Sequence, residues 1–467
     1  MTNSNITIPR LTKYTPAGLA ELWSIAYPLM LTALSGNLMI FMDRLLLCRY
    51  VPDAMVAVST VGMVFTIFQF AGISVASIAE VYVGKYNGAN EGDKIGPLVW
   101  QMIWFSLITA IVFIPVGLFC GKLFLPEEYY HHGLLYFKTI MIFGPLFPLV
   151  AALSSFFIGQ GKVKIITLST LVVNIINIIF AYVFIFGIEG VIPAMGTFGA
   201  ALALGFSILL QAIFLFAVFI NKKYRILNNT GCFKFIFSEF WLCLKVGTPN
   251  ASSYFIEMTA WACLLQIMAY KDDIHITVLV FGQAIFLLLA FTTDGLQKAV
   301  TTIASNAIGM KKWSLVPKLI KSGLKLHGLM VLLFAIPMIF FPYYLIELFF
   351  ITNESFIQDA ALITYTKITC IWVLIYFVFD GLVWILAGIL TAFEDTVFIM
   401  IMNTVTVWIF AILPNYIAVT FYNGNPSIIW QLMTIYAAIN SIGFILRYCK
   451  IVMPFKSKMG LLKLDKI

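Results

Sequence analysis

The sequence predicts an all-α integral membrane protein, with about twelve transmembrane helices at roughly 20 apolar residues per crossing, arranged as two pseudo-symmetric six-helix bundles. Three observations predict it. The 467 residues are 61% hydrophobic and only 11% charged, with a mean hydropathy of +0.98, and so few charges cannot cover a water-soluble surface. Apolar runs long enough to cross a hydrocarbon core recur along the whole chain. Landmarks of the first half also return in the second at a nearly constant offset.

Taken in order, the spans are expected at 20–47, 54–84, 97–120, 133–158, 164–187, 196–221, 236–268, 275–306, 322–342, 357–389, 396–420 and 427–449. The first follows a polar stretch with Arg10 and Lys13. It is too long for a signal-peptide core and lacks a small-residue cleavage site, so it is expected to be retained. Lys162 and Lys164 follow the fourth span, and Lys222, Lys223 and Arg225 follow the sixth, with Lys234 before the seventh. Lys311, Lys312 and Lys318 follow the eighth; Arg447, Lys450, Lys456, Lys458, Lys463 and Lys466 follow the twelfth. The alternate loops hold Glu127, Glu128, Glu189, Glu347, Glu354 and Asp359. This is the positive-inside distribution, and it places both termini in the cytoplasm, as an even number of crossings requires. The net charge of +8 is thereby absorbed by topology and does not point to nucleic acid. Seven scattered cysteines without a CxxC pair read as small buried hydrophobes.

Pro28 returns as Pro249 and Gly88 as Gly309, both 221 residues on; Tyr136-Phe137-Lys138 returns as Tyr365-Thr366-Lys367 and Gly159 as Gly388, both 229 residues on. A short insertion near 342–356 accounts for the step. The expected division is an N-terminal bundle at 1–221, a basic cytoplasmic linker at 222–236 and a C-terminal bundle at 237–467. Six crossings per bundle give both the same orientation, a parallel repeat with the substrate path expected between them. Pro28 and Pro249 each remove a backbone donor inside a span and are candidate hinges, or static kinks.

Three acids lie inside spans: Asp43, Glu257 and Asp380. A carboxylate at the bilayer centre costs about 2.5–3.5 kcal/mol even on the lenient insertion scale. Such groups face a protein interior or a wet cavity, where they bind a cation or a proton. Tyr376, one turn before Asp380, shares its helix face. Two carboxylates in one low-dielectric pocket resist joint ionisation, so Glu257 and Asp380 either share a proton or hold a cation, Na+ or H+. Asn174 and Asn177 share a face of the fifth span and are candidates to serve Asp43, a substrate or a neighbouring helix. Gln283 is a candidate pocket partner of Glu257. Asp294 and Lys298, spaced i, i+4, read as an ion pair. No phosphate loop, metal-spaced histidine cluster or nucleophile–base constellation is present. An enzyme is therefore not expected, no cofactor is expected, and the energy source is expected to be an ion gradient.

In order and spacing, these residues resemble the multidrug and toxic compound extrusion (MATE) family, in its NorM-type bacterial branch. The likeness rests on Pro28 with Asp43, the loop Gly84-Lys85-Tyr86-Asn87-Gly88-Ala89-Asn90, and Asn177 to Gly187. It continues through Phe255-Ile256-Glu257-Met258-Thr259, Tyr376 with Asp380, and Gly388-Ile389-Leu390 with Asp395. The resemblance implies a multi-pass protein of the bacterial inner membrane, expected as a monomer, that exports lipophilic or cationic organic compounds against Na+ or H+. It gives Glu257, Asp380 and Tyr376 the coupling-cation role, and Asp43 and Asn177 a substrate or proton role. Some members carry an acid four residues after the asparagine; here Ala181 stands there and Arg44 follows Asp43, which favours coupling through the second bundle. The alternative is a lipid-linked oligosaccharide flippase of the same superfamily. That activity needs deep cationic residues for pyrophosphate, and Lys298 is the main one.

Overall fold

A computed structural model describes residues 11–350 and 360–464. Arg10, Glu354, Asp359 and Lys466, residues 357–359 of the tenth expected span, and the side chains of Lys456, Lys458 and Lys463 lie outside the described residues. Twelve long helical elements follow one another: α1 Leu19–Tyr50, α2 Asp53–Ala89, α3 Gly92–Phe119, α4 Glu127–Gly159, α5 Val163–Phe186, α6 Gly196–Phe219, α7 Phe237–Lys271, α8 Asp273–Gly309, α9 Leu315–Phe340, α10 Ala360–Ala392, α11 Thr396–Thr420 and α12 Ile428–Leu464. An isolated bridge between Ile188 and Ile192 is the only β pairing among the described residues. Eleven of the helices are long and apolar enough to cross a membrane. The other, α7, has 35 residues, ample length at about 1.5 Å per residue. Its Glu239, Lys245, Thr248, Pro249, Asn250 and Glu257 dilute its apolar character.

Local chemistry explains the irregular turns. Gly144 and Pro145 interrupt α4 where proline offers no donor. A wide π turn at Ile336–Phe340 in α9 contains Pro337, and another at Val407–Ile412 in α11 ends two residues before Pro414; the missing N–H groups release carbonyls one turn back.

The chain groups into two compact units. The first holds the described chain up to Lys13, Leu31–Ser252 and Ser305–Lys312; the second holds Tyr14–Met30, Ser253–Ala304 and the described chain from Trp313 onward. α1, α7 and α8 thus contribute residues to both units, and the 222–236 segment belongs to the first. In the first unit α5 packs along α6, and Phe65 meets Phe113 and Phe147 edge-on in a core with Phe137, Met141, Ala181 and Ala201. The linker is docked on α3. The Trp100 indole donates to Thr230 O at 2.8 Å, the Gln101 amide donates to Lys234 O at 3.0 Å, and its carbonyl accepts from Ile236 N at 2.9 Å. In the second unit α10 lies against α12 around Phe281, Cys370, Phe377, Trp430 and Met433.

The repeat is visible as reciprocal packing within the first unit. A methyl group on Gly88 would overlap the carbonyl of Asn306, and one on Gly309 would overlap the carbonyl of Lys85. Lys85 and Asn306 are themselves 221 residues apart, so each repeat presents a glycine to the same backbone oxygen of the other. Asn306 also accepts from Asn87 Nδ2 at 2.7 Å and donates to Gly159 O at 2.8 Å.

On the second unit, the α7–α8 turn is tied to the α11–α12 loop. Lys271 Nζ donates to Asn423 Oδ1 at 2.6 Å. Asp272 Oδ1 accepts from His275 N at 2.8 Å and lies 2.7 Å from His275 Nδ1, while Nε2 lies 3.0 Å from Gly424 O. Both ring nitrogens face acceptors, so only the imidazolium donates to both. Partial burial pushes the Asp272 carboxyl up, but hydrogen bonds from the His275 backbone and ring outweigh it and leave it below the ordinary carboxylate range. The stabilisation is therefore present above the unfolded value near pH 4 and lost as pH falls through the lower folded value. Asp272 caps α8, and Asp272→Ala is expected to cost about 1 kcal/mol at neutral pH. Thermal melts of the two proteins in detergent should converge as the medium is acidified below the ordinary carboxylate range; an undiminished gap at low pH excludes the carboxylate as its cause.

Candidate functional site

Three of the candidate residues come together in the second unit. The α10 helix presents Tyr376 and Asp380 one turn apart, both buried at 4% and 9% exposure. Tyr376 packs edge-on against Phe286 of α8 at 5.1 Å and Trp430 of α12 at 5.7 Å. The Trp384 indole, four residues after Asp380, is within hydrogen-bonding reach of its carboxyl, while Asp380 Oδ2 is enclosed and has no protein partner. Glu257 of α7 is half-buried and close enough for its charge to act on Asp380, Tyr376 and Tyr436. The charged groups acting on Asp380 are Glu257 and Asp294, both acidic. An enclosed carboxyl with one unpartnered oxygen and acidic company has a deficit of positive charge that a proton or metal cation corrects.

Gln283 is half-buried on α8. It lies next to Gly282, which packs against the Trp430 indole, and three residues before Phe286, so it shares the face that meets Tyr376. Asp294 is exposed on the same helix and is influenced by Lys298, as the i, i+4 spacing predicts. Its charge also acts on Glu257 and Asp380, which the pair reading alone does not anticipate.

The other polar candidates lie in the first unit. Asn174 Nδ2 donates to Ser35 Oγ at 2.7 Å. Asn177, fully buried, has neither amide atom partnered, and Asp43 Oδ1 is enclosed without a partner. Asp43 and Arg44 are both in electrostatic range of the buried Tyr136 hydroxyl. An unpaired buried amide costs about 1–3 kcal/mol, which a hydrogen-bonding guest at Asn177 would offset. Ala181 is fully buried in the apolar core and supplies no charge there.

Pro28 and Pro249 both lie inside continuous helices. In each case the chain changes compact unit shortly after the proline, at Met30 and at Ser252. Asp395, by contrast, is tied down: Arg447 grips it with Nε at 2.7 Å and a second guanidinium nitrogen at 3.1 Å. Sequence reasoning missed Trp384, Tyr436 and Trp430. Trp384 carried a usable signal in its i+4 spacing from Asp380, whereas Tyr436 and Trp430 arrive from a helix remote in sequence.

The chain matches the MatE family model over residues 28–183 and 249–417. It is similar to the probable multidrug resistance protein NorM of Bacillus subtilis (strain 168), with 22% identity covering 94% of this chain and 97% of that one. A protein of the same name from Thermotoga maritima is 25% identical over 70% of this chain and 72% of its own. Among solved structures, a MATE protein in complex with MaL6 superimposes with a TM-score of 0.86 at 16% identity, covering 98% of this chain and 100% of that one.

Proposed function

The chain belongs to the MatE family and is a multi-pass membrane transporter, and from that premise we propose that it is a secondary antiporter exporting lipophilic organic cations in exchange for Na+ or H+. The observation that carries the reading is the buried Asp380 carboxyl, with one oxygen unpartnered and only acidic charges acting on it. With Glu257 and Tyr376 it forms the coupling site. Asp43, Asn174, Asn177 and Gln283 form the polar surfaces that meet substrate or protons. Pro28 and Pro249 serve as hinges where their helices pass from one unit to the other. The protein resides in the cytoplasmic membrane as a monomer with both termini inside and the six-helix halves 1–221 and 237–467.

A gradient does work only through differential binding to two states. Cation entry at Glu257 and Asp380 favours release of the drug, and drug binding favours release of the cation. One monovalent cation exchanged for one monocationic drug leaves voltage without effect. Two per drug use about 2.3 kcal/mol per charge per 100 mV. Ethidium efflux from proteoliposomes under separately imposed sodium and pH gradients tests this. One gradient is expected to drive efflux without ATP, and an added membrane potential accelerates it if two cations enter per cycle. Efflux indifferent to both gradients rejects antiport. Rescue of a flippase-deficient strain would instead support the oligosaccharide reading.

A further inference from the structure

His327 of α9 is buried at 4% exposure in the second unit. Its Nε2 lies 3.1 Å from the carbonyl of Phe377 on α10, and the two rings sit 4.9 Å apart and tilted. The ring also occupies the notch left by Gly381: a methyl group there would overlap its Cε1, Nε2 and Nδ1 atoms. Phe377 and Gly381 bracket Asp380, three residues after the first and one before the second. A glycine inside a helix costs about 0.5–1 kcal/mol relative to alanine, and an ionisable side chain at membrane depth is a functional candidate by default. Here the two unfavourable choices fit each other.

We infer that His327 is a positioning residue for the Asp380 carboxyl. This rests on the antiport reading above and deepens it. A carbonyl accepts only from a donor, so Nε2 carries a proton and gives it to Phe377 O. In a regular α-helix that oxygen also accepts from Gly381 N–H, so the histidine shares the hydrogen bond that spans Asp380. Tyr376 and Asp380 occupy one helix face; Phe377 and Gly381 occupy the next. The ring therefore clamps α10 from the side adjacent to the coupling face without touching the cation. It fixes the axial rotation of the turn that aims Asp380, whose Oδ2 has no protein partner of its own to hold it. Small displacements of a binding group weaken its action strongly.

The test measures ethidium efflux by the reconstituted full-length protein against increasing sodium or proton concentration, using whichever gradient drives the wild type. His327→Leu removes the donor at similar volume, and His327→Gln restores an N–H at comparable reach. Gly381→Ala displaces the ring from the opposite side. His327→Leu and Gly381→Ala are expected to raise the half-saturating cation concentration about tenfold, with maximal rate changed less than about threefold; His327→Gln should recover most of the loss. A purely structural role would lower yield or thermal stability in both His327 variants and leave half-saturation alone, and that result overturns the assignment. If His327→Leu is not recovered folded, wild-type half-saturation in Gly381→Ala overturns it equally. Should Asp380→Asn keep the wild-type cation dependence, the assignment of the coupling site to Asp380 fails, whatever the His327 variants show, while efflux indifferent to both gradients rejects antiport itself.

Discussion

Asp380→Asn is expected to abolish gradient-driven ethidium efflux while leaving the protein folded. The two side chains have nearly the same shape, and an amide oxygen still accepts from the Trp384 indole, which is within hydrogen-bonding reach of Asp380. The negative charge alone is lost. Removing one partner from a buried ion pair costs about 3–5 kcal/mol, which is roughly a hundred- to several-thousand-fold in cation affinity. If, as proposed, drug binds at polar groups of the first unit such as Asn177 and Asp43, that binding does not depend on the Asp380 charge. Asp380→Asn should therefore bind ethidium in detergent yet fail to pump it in vesicles. Glu257→Gln should behave likewise but less severely, because Glu257 is half-buried and water can stand in for part of its role. Wild-type transport by Asp380→Asn, under either gradient, removes α10 as the coupling element.

Much of this was legible in the sequence because hydrocarbon is an unforgiving solvent. A span must be long and apolar, so all twelve spans were legible as apolar runs, although ends were missed: the fourth helix begins at Glu127, not 133, and the ninth at Leu315, not 322. One of the twelve, α7, is diluted by polar residues and is not among the eleven helices long and apolar enough to cross, while Pro249 also marks it as the counterpart of α1. The acids were equally legible, since a carboxylate in a span stands out against its neighbours. What could not be read was company. Trp430 and Tyr436 look like ordinary aromatic residues of a last helix, and only the packing of α12 brings Trp430 to Tyr376. Asp294 looked like half of a local pair because Lys298 is one turn away; its action on Glu257 and Asp380 depends on how α7, α8 and α10 meet. His327 was one of four histidines with no motif around it. Its meaning comes from Gly381, a residue with no side chain to advertise a contact.

The second large effect is expected at the reciprocal glycines. An alanine at Gly88 or Gly309 places its methyl group on a backbone carbonyl oxygen, of Asn306 in one case and Lys85 in the other. A flexible side chain would swing away, but a carbonyl inside a hydrogen-bonded helix moves only with its helix. Relief therefore means separating the end of α2 from the end of α8, and breaking the Asn87–Asn306–Gly159 hydrogen-bond chain that crosses them. Loss of close van der Waals packing between small residues is a main source of instability in membrane helices, and an unpaired Asn306 amide would add to it. Each substitution is expected to cost more than about 4 kcal/mol, a severe effect for one methyl group, seen as loss of protein recovered from the membrane and a lowered thermal midpoint. Gly62, on α2 with open space where its Cβ would stand, is the internal comparison: Gly62→Ala should be neutral or stabilise by up to about 1 kcal/mol. Because the two contacts are copies of each other, Gly88→Ala and Gly309→Ala should fail alike. Tolerance of either one would mean that the oxygen it faces is free to move, and the close crossing would lose its standing as a fixed element of the first unit.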